Sequence, residues 1–399
     1  MTTIPKTPTI SLFSRVTAVI VITRLILGAG VQIFFPFLPI IAAGLNISEI
    51  TLGRFLGLRG VSALVAPIFG TTADKRGYRR IIQVALLLAA TGNLLIYFSQ
   101  SLPVFVVGLF ILGIGTSGVT PTLVAYMSHL LPFERRSRGL GMLEYTWALV
   151  GIMVLPLFGW LIDGTSWRLP FLLMGGLEII AIFWFMNLPP VSTLPERPTV
   201  RPALSVVLRD FFDFGANWRS AWAVLLGDSF TKFSGNILSI SFGIWLLKEY
   251  GLTASRLGQV AFLLGFADIC GSGLVSLVGD RLGKRRSVLV ATAFGVLFFS
   301  TLPLWNQSLT TAVIGLFLAR WTFEFSIVSH IVLASEQSPA QRGKMLTMRI
   351  GLGFIAVTLG SIWGPALYAA FGVAGIGVPG AISMALAWLV ARFLTVERG

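Results

Sequence analysis

The sequence predicts an all-α membrane protein in which twelve transmembrane helices form two pseudo-symmetric six-helix bundles. Three observations lead there. Of 399 residues, 55% are hydrophobic and only 12% charged, against about 25% charged in soluble domains. Twelve stretches reach the ~20 apolar residues needed to cross about 30 Å of hydrocarbon. Landmarks of the first half also recur, in the same order, in the second. Disordered, collagenous, coiled-coil and disulfide-scaffold classes are excluded by this composition, and the alternating segments of an outer-membrane barrel are absent.

The spans follow in order. Span one (14–43) carries Arg24, Gly28, Gln32 and Pro36 at successive helical turns, and Pro36 with Pro39 can bend its outer half. Span two (50–70) holds Arg54 and Arg59, and span three (81–99) has no charge between its ends. Span four (104–130) offers Gly113, Ser117 and Thr120. Span five (139–162) has Glu144 and a glycine and proline cluster, and span six (169–188) places Glu178 deep among apolar residues, with no partner evident in sequence. Residues 189–219, with Pro189, Pro190, Pro195, Pro198 and Pro202, form the long polar connection. The expected domains are therefore an N-terminal bundle (1–188), a cytoplasmic linker (189–219) and a C-terminal bundle (220–399).

In the second half, span seven (220–247) presents Asp228, Lys232, Asn236 and Ser239 as one polar stripe on an apolar helix. Span eight (256–277) contains Asp268 and the only cysteine, Cys270, which excludes both a disulfide and a cysteine metal cluster. Spans nine (287–304) and twelve (374–394) carry no charge between their ends, Arg392 standing at the cytoplasmic end of the latter. Span ten (311–335) sets Arg320 and Glu324 one turn apart, with His330 beyond, and span eleven (343–370) carries Arg349.

The formal net charge is +14, from 30 Lys and Arg against 16 Asp and Glu. Of these cations, 21 fall in the loops of one side and in the termini, and three, Arg168, Lys248 and Arg256, in the opposite loops. By the positive-inside rule both termini are cytoplasmic, and an even span count agrees. Cations spread over every cytoplasmic loop leave no nucleic-acid surface and are expected at lipid headgroups. Six cations and five acids remain inside the spans, where charge facing lipid is costly, so they must point inward and largely pair. Arg54, Arg59, Glu144, Asp268 and Arg349 are expected to serve helix contacts or gating.

The repeat is specific. Gly108 to Gly113 aligns with Gly315 to Arg320, Gly44-Leu45 with Gly251-Leu252, Asp74 with Asp280, Gly139 with Gly343, and Gly151 and Pro156 with Gly360 and Pro365. Two six-span halves in the same orientation imply an axis along the membrane normal, an arrangement common to many secondary transporters.

After span two the chain reads Gly70-Thr-Thr-Ala-Asp74-Lys75-Arg76-Gly77-Tyr78-Arg79-Arg80, and after span eight Asp280-Arg281-Leu282-Gly283-Lys284-Arg285-Arg286. This resembles the signature loop of the major facilitator superfamily, with Tyr78 where a cation is usual and Ser276 where the second copy would have glycine. The resemblance covers the whole chain. It implies that the loops lock a cytoplasmic gate, with Asp74 docking at the start of span eleven around Gly343 and Arg76 and Arg79 in a surrounding charge relay. Gly151, Pro156 and Gly159 in span five, echoed by Gly360, Gly364 and Pro365 in span eleven, look like the motif of the family's drug/proton antiporters, although Leu109 and Leu316 stand where a span-four arginine and its repeat counterpart would be.

The resemblance further implies that spans one, four, seven and ten line a central cavity. The polar stripes fall on those four. Arg24, Gln32, Asp228, Lys232, Asn236, Arg320 and Glu324 are therefore the expected substrate and proton pathway, with Asp228 or Glu324 carrying the proton. The expected function is alternating-access, proton-coupled efflux of a small amphipathic compound from the plasma membrane by a monomer. A symporter or facilitator for a small anionic solute is the alternative, since Arg24 and Arg320 would suit a carboxylate or phosphate. A receptor or lipid-processing protein is disfavoured. No nucleophile with its base, metal cluster or nucleotide loop is visible, so neither an enzyme nor a cofactor is expected.

Overall fold

The computed structural model describes residues 11, 12, 14–191, 213–337 and 342–396, and these are helical with no strand among them. Most of the 189–219 connection, including Arg197, Arg201 and Arg209, lies outside the described residues. Eleven helices are long and apolar enough to cross a membrane. Helix Trp218–Tyr250, the longest at 33 residues, is not among them, because its polar stripe lowers its mean hydropathy. Large apolar side chains at high exposure, such as Leu64, Leu277 and Phe393, are what lipid contact requires.

By contacts the chain divides into two compact units. The first comprises Met1–Ile47, Leu58–Glu196 and Thr253–Phe262, the second Ser48–Gly57, Arg197–Leu252 and Leu263–Gly399.

In the first unit, span one is two helices, α1 (Arg15–Gln32) and α2 (Phe34–Gly44), which meet at Ile33. The break expected from Pro36 and Pro39 thus falls just before them, where Pro36 leaves the Gln32 carbonyl without its helical donor. Span two is α3 (Glu49–Arg59), whose residues up to Gly57 belong to the second unit, followed by a tight 3₁₀ segment over Gly60–Val65 and α4 (Ala66–Arg76). α4 continues through Gly70, Asp74 and Arg76. The signature expected to be a loop is therefore helical up to a one-residue turn at Gly77, whose φ of +94° only glycine adopts easily. Next come α5 (Tyr78–Phe98) and α6 (Leu102–Leu130), packed so closely that a Cβ on Gly92 or Gly115 would lie 2.4 Å from the other helix's backbone.

α7 (Phe133–Leu149) passes through a π turn at Val150–Val154 into α8 (Leu155–Gly164). The wider turn accommodates Pro156, which cannot donate to the ladder. Asp163 at the end of α8 accepts the amides of Ala254 (3.0 Å) and Ser255 (2.8 Å), capping the start of the helix that begins at Ala254, whose first residues belong to this same unit. Helix α9 (Leu169–Met186) closes the set.

The second unit contains α10 (Trp218–Tyr250), most of α11 (Ala254–Leu282), α12 (Lys284–Thr301), α13 (Leu309–Gln337), α14 (Arg342–Phe371) and α15 (Ala374–Phe393). α10 packs along α13, α14 and α15. The second signature repeats the first: α11 stays helical through Arg281 and turns at Gly283, φ +83°.

Candidate functional site

The deepest polar cluster is on α10. Asp228 is fully buried and its Oδ1 accepts from Arg349 Nε at 2.8 Å, while Lys232 Nζ lies 2.8 Å from Oδ2. The i, i+4 spacing read from sequence makes the Lys232 pair. Arg349 comes from α14, so its ion pair with Asp228 is a contact between two helices. Lys232 also donates to the Arg349 carbonyl (3.2 Å) and lies across Gly353, where a Cβ would be 2.2 Å from Nζ. Buried His330 of α13 engages the Ser326 carbonyl through Nδ1 (2.9 Å), and its Nε2 would be 2.9 Å from a Cβ on Gly227, beside Asp228.

A second cluster lies toward the other end of α10. Arg320 grips Asp268 of α11 through Nε–Oδ1 (2.6 Å) and Nη2–Oδ2 (2.8 Å), and its Nη1 donates to Ser239 at 2.7 Å. The planar fork of the guanidinium thus meets both oxygens of a carboxylate on another helix, while Glu324, one turn along, acts on it electrostatically. Glu324 accepts from Ser272 at 3.1 Å. Asn236 accepts from Ser361 (3.1 Å) and packs so tightly on Gly360 that a Cβ there would be 2.7 Å from its Oδ1, while Gly364 gives the same room to Ile240 and Ser241. Small residues of the antiporter-like stretch therefore let α14 approach α10, beside Pro365 within α14. In the first unit, Gly159 plays that part against Ala254.

The first unit carries fewer pairs. Gln32 donates to the Trp147 carbonyl at 2.9 Å, which commits it to the α7 backbone. Arg24 has no carboxylate within 4.0 Å among the described residues, although Glu144 acts on it electrostatically. Glu178, without an evident partner in sequence, receives Asn93 Nδ2 at 2.8 Å. Glu178 Oε1 and Asn93 Oδ1 are both buried without a hydrogen bond.

The two signature turns share a construction. Arg79 donates to the carbonyls of Met186 (3.2 Å) and Leu188 (2.9 Å) at the end of α9, and Arg285 to those of Ala391 (3.0 Å) and Arg392 at the end of α15. A cation on the last carbonyls of a helix is favoured by their partial negative charge, and Arg79 and Arg285 cap these two helix ends. Asp74 accepts from the Tyr78 hydroxyl, which also meets His129 at 3.2 Å. Tyrosine in place of the usual cation thus supplies a neutral donor. Arg76 and Arg281 are exposed, and a Cβ on Gly70 would meet nothing within 4 Å. The side chains of Asp280 and Gly343 lie outside the described residues. No group of three or more potential metal ligands occurs among the described residues.

A multi-helix membrane protein with buried cross-helix charge clusters, and with the same turn-and-cap device in each half, is the form of a secondary transporter. The chain belongs to the Major Facilitator Superfamily, matched over residues 20–241 and 224–399, and it is a transporter rather than an enzyme. It is 25% identical to the uncharacterized MFS-type transporter YceJ of Bacillus subtilis (strain 168), over 84% of this chain and 85% of that one. It is 24% identical to the multi-drug resistance efflux pump PmrA of Streptococcus pneumoniae (strain ATCC BAA-255 / R6), over 68% and 69%. A crystal structure of a bacterial homolog of the human lysosomal transporter Spinster superposes with a TM-score of 0.75 at 15% identity, covering 96% and 98%. That of the human organic anion transporter MFSD10 gives 0.69 at 19% identity, covering 94% and 99%.

Proposed function

We propose that the protein is a proton-coupled exporter of small amphipathic compounds, working as a monomer by alternating access in the plasma membrane with both termini cytoplasmic. The observation that carries this is Asp228. Its carboxylate is held by Lys232 and Arg349 with His330 alongside, so one proton changes the balance of a dry, otherwise cationic cluster. Gain or loss of that proton would free or engage Arg349, which links α10 to α14, and so couples protonation to helix packing. Efflux is favoured by the small-residue stretches Gly151 to Gly159 and Gly360 to Pro365, and by likeness to a multi-drug efflux pump.

Movement of a small anionic solute is the second reading. Arg24 supports it, being without a carboxylate within 4.0 Å among the described residues, and so does the fold shared with an organic anion transporter. Arg320 no longer does, since Asp268 occupies it. The docking of Asp74 on span eleven belongs to the same proposal.

The test is a substrate panel in proteoliposomes with and without an imposed pH gradient. Asp228→Asn should keep the protein folded but remove the response of transport to that gradient. Undiminished gradient-driven transport in the variant would sink the proton role.

A further inference from the structure

We infer that Arg59 is the anchor for the carboxylate of a small organic acid, at mid-membrane depth and bordered by Phe34, Ser62 and Gly113. The inference rests on the chain being a transporter and gives its solute a chemical class.

Arg59 ends α3, ten residues beyond its start at Glu49, so it sits ~15 Å along the span. Three other deep cations have a carboxylate partner: Lys232 and Arg349 share Asp228, and Arg320 holds Asp268. Arg59 has no carboxylate within 4.0 Å among the described residues. Its Nη1 is completely buried and makes no hydrogen bond. A guanidinium cannot shed its charge, so an unmatched one at this depth is a standing energetic cost that structure alone does not explain.

The surroundings position the group without satisfying it. Gly113 makes room, since a Cβ there would lie 2.7 Å from Arg59 Cγ and 2.5 Å from Ser62 Oγ. Ser62 spends its hydroxyl on the Arg59 carbonyl at 2.6 Å, holding the 3₁₀ turn that follows. The Phe34 ring lies 5.5 Å from the guanidinium carbon. Its π face attracts the charge but gives the N–H groups no in-plane acceptor. What is lacking is a negatively charged acceptor, and the planar fork fits a carboxylate best. A single cation beside Phe34, itself packed 5.8 Å from Phe171, suits one negative charge on an apolar body better than a divalent phosphate.

The test uses the full-length protein in lipid nanodiscs, with benzoate, benzyl alcohol and inorganic phosphate as probes. Binding is read by thermal melting and intrinsic tryptophan fluorescence. Benzoate should give a saturable response that neither benzyl alcohol nor phosphate matches. Arg59→Gln should weaken it at least about tenfold, as loss of a charge-assisted hydrogen bond implies, and Arg59→Lys should fall between. If Arg59→Gln does not fold, Gly113→Ala, which pushes on Arg59 Cγ, should weaken benzoate in the same way. Benzoate binding that is absent, equalled by benzyl alcohol, or untouched by these substitutions overturns the assignment. Parallel proteoliposome assays separate the two claims: gradient-driven movement of other solutes despite failed benzoate binding defeats the Arg59 site alone, whereas absence of any solute movement defeats the transport reading.

Discussion

Replacing Glu178 probes the buried pair that joins α5 to α9. Asn93 Nδ2 donates to Glu178 Oε2 at 2.8 Å, while Asn93 Oδ1 and Glu178 Oε1 face no partner, and both residues are at most 1% exposed. Each of these two oxygens lacks a donor. Glutamine at 178 provides one: its amide N–H can reach Asn93 Oδ1 while its oxygen keeps the Asn93 bond, giving a closed amide pair. Leucine instead removes the acceptor and strands the Asn93 amide, at about 1–3 kcal/mol for a buried unsatisfied group. Interhelical hydrogen bonds in membranes average ~0.6 and reach ~1.7 kcal/mol, so a loss of about 1–2 kcal/mol is expected. Glu178→Gln should equal or exceed the wild type, and Asn93→Leu with Glu178→Leu should recover much of the single-variant loss, because two apolar groups leave nothing unpaired. Denaturation by titrated SDS in mild detergent, followed by tryptophan fluorescence, ranks the four proteins. Glu178→Gln as unstable as Glu178→Leu, or a double variant no better than the worse single one, would refute the pairing.

Asp268→Leu or Arg320→Met alone should each destabilise by about 3–5 kcal/mol by stranding a buried charge, while the double variant should be far milder; the same titration checks this, and equal losses in all three would contradict it. Gly77→Ala and Gly283→Ala force alanine to positive φ with extended ψ and should each cost about 1–3 kcal/mol, read as a lower melting temperature. Gly353→Val places a side chain on Lys232 Nζ and should break the ion pair with Asp228; pH-gradient coupling measured in liposomes should fall with it, and unaltered coupling would separate Lys232 from the proton role.

Much of the fold was legible because its signals are local. Apolar runs, Pro36 and Pro39, Gly77 and Gly283, and the recurrence of Asp74 at Asp280 all act within one helix or turn, and hydrocarbon forces every backbone amide to be satisfied within its own segment. The polar stripe of Asp228, Lys232, Asn236 and Ser239 followed from the helical period alone, and so did the Asp228–Lys232 pair.

Partners across helices were not legible. Arg320 stands one turn from Glu324 and yet bonds Asp268, 52 residues away in sequence, because helix packing rather than spacing decides which carboxylate meets the flat face of a guanidinium. Arg349 on Asp228, Asn93 on Glu178 and Arg79 on the carbonyls of α9 are of the same kind. Nor could sequence show that Arg59 has a buried, unbonded Nη1 with no carboxylate within 4.0 Å among the described residues, for a missing partner is a property of three dimensions. The sequence by itself determined that this chain crosses the membrane, repeats itself and buries charge; only the tertiary structure decided which carboxylate meets which cation, because that is set by how the helices pack.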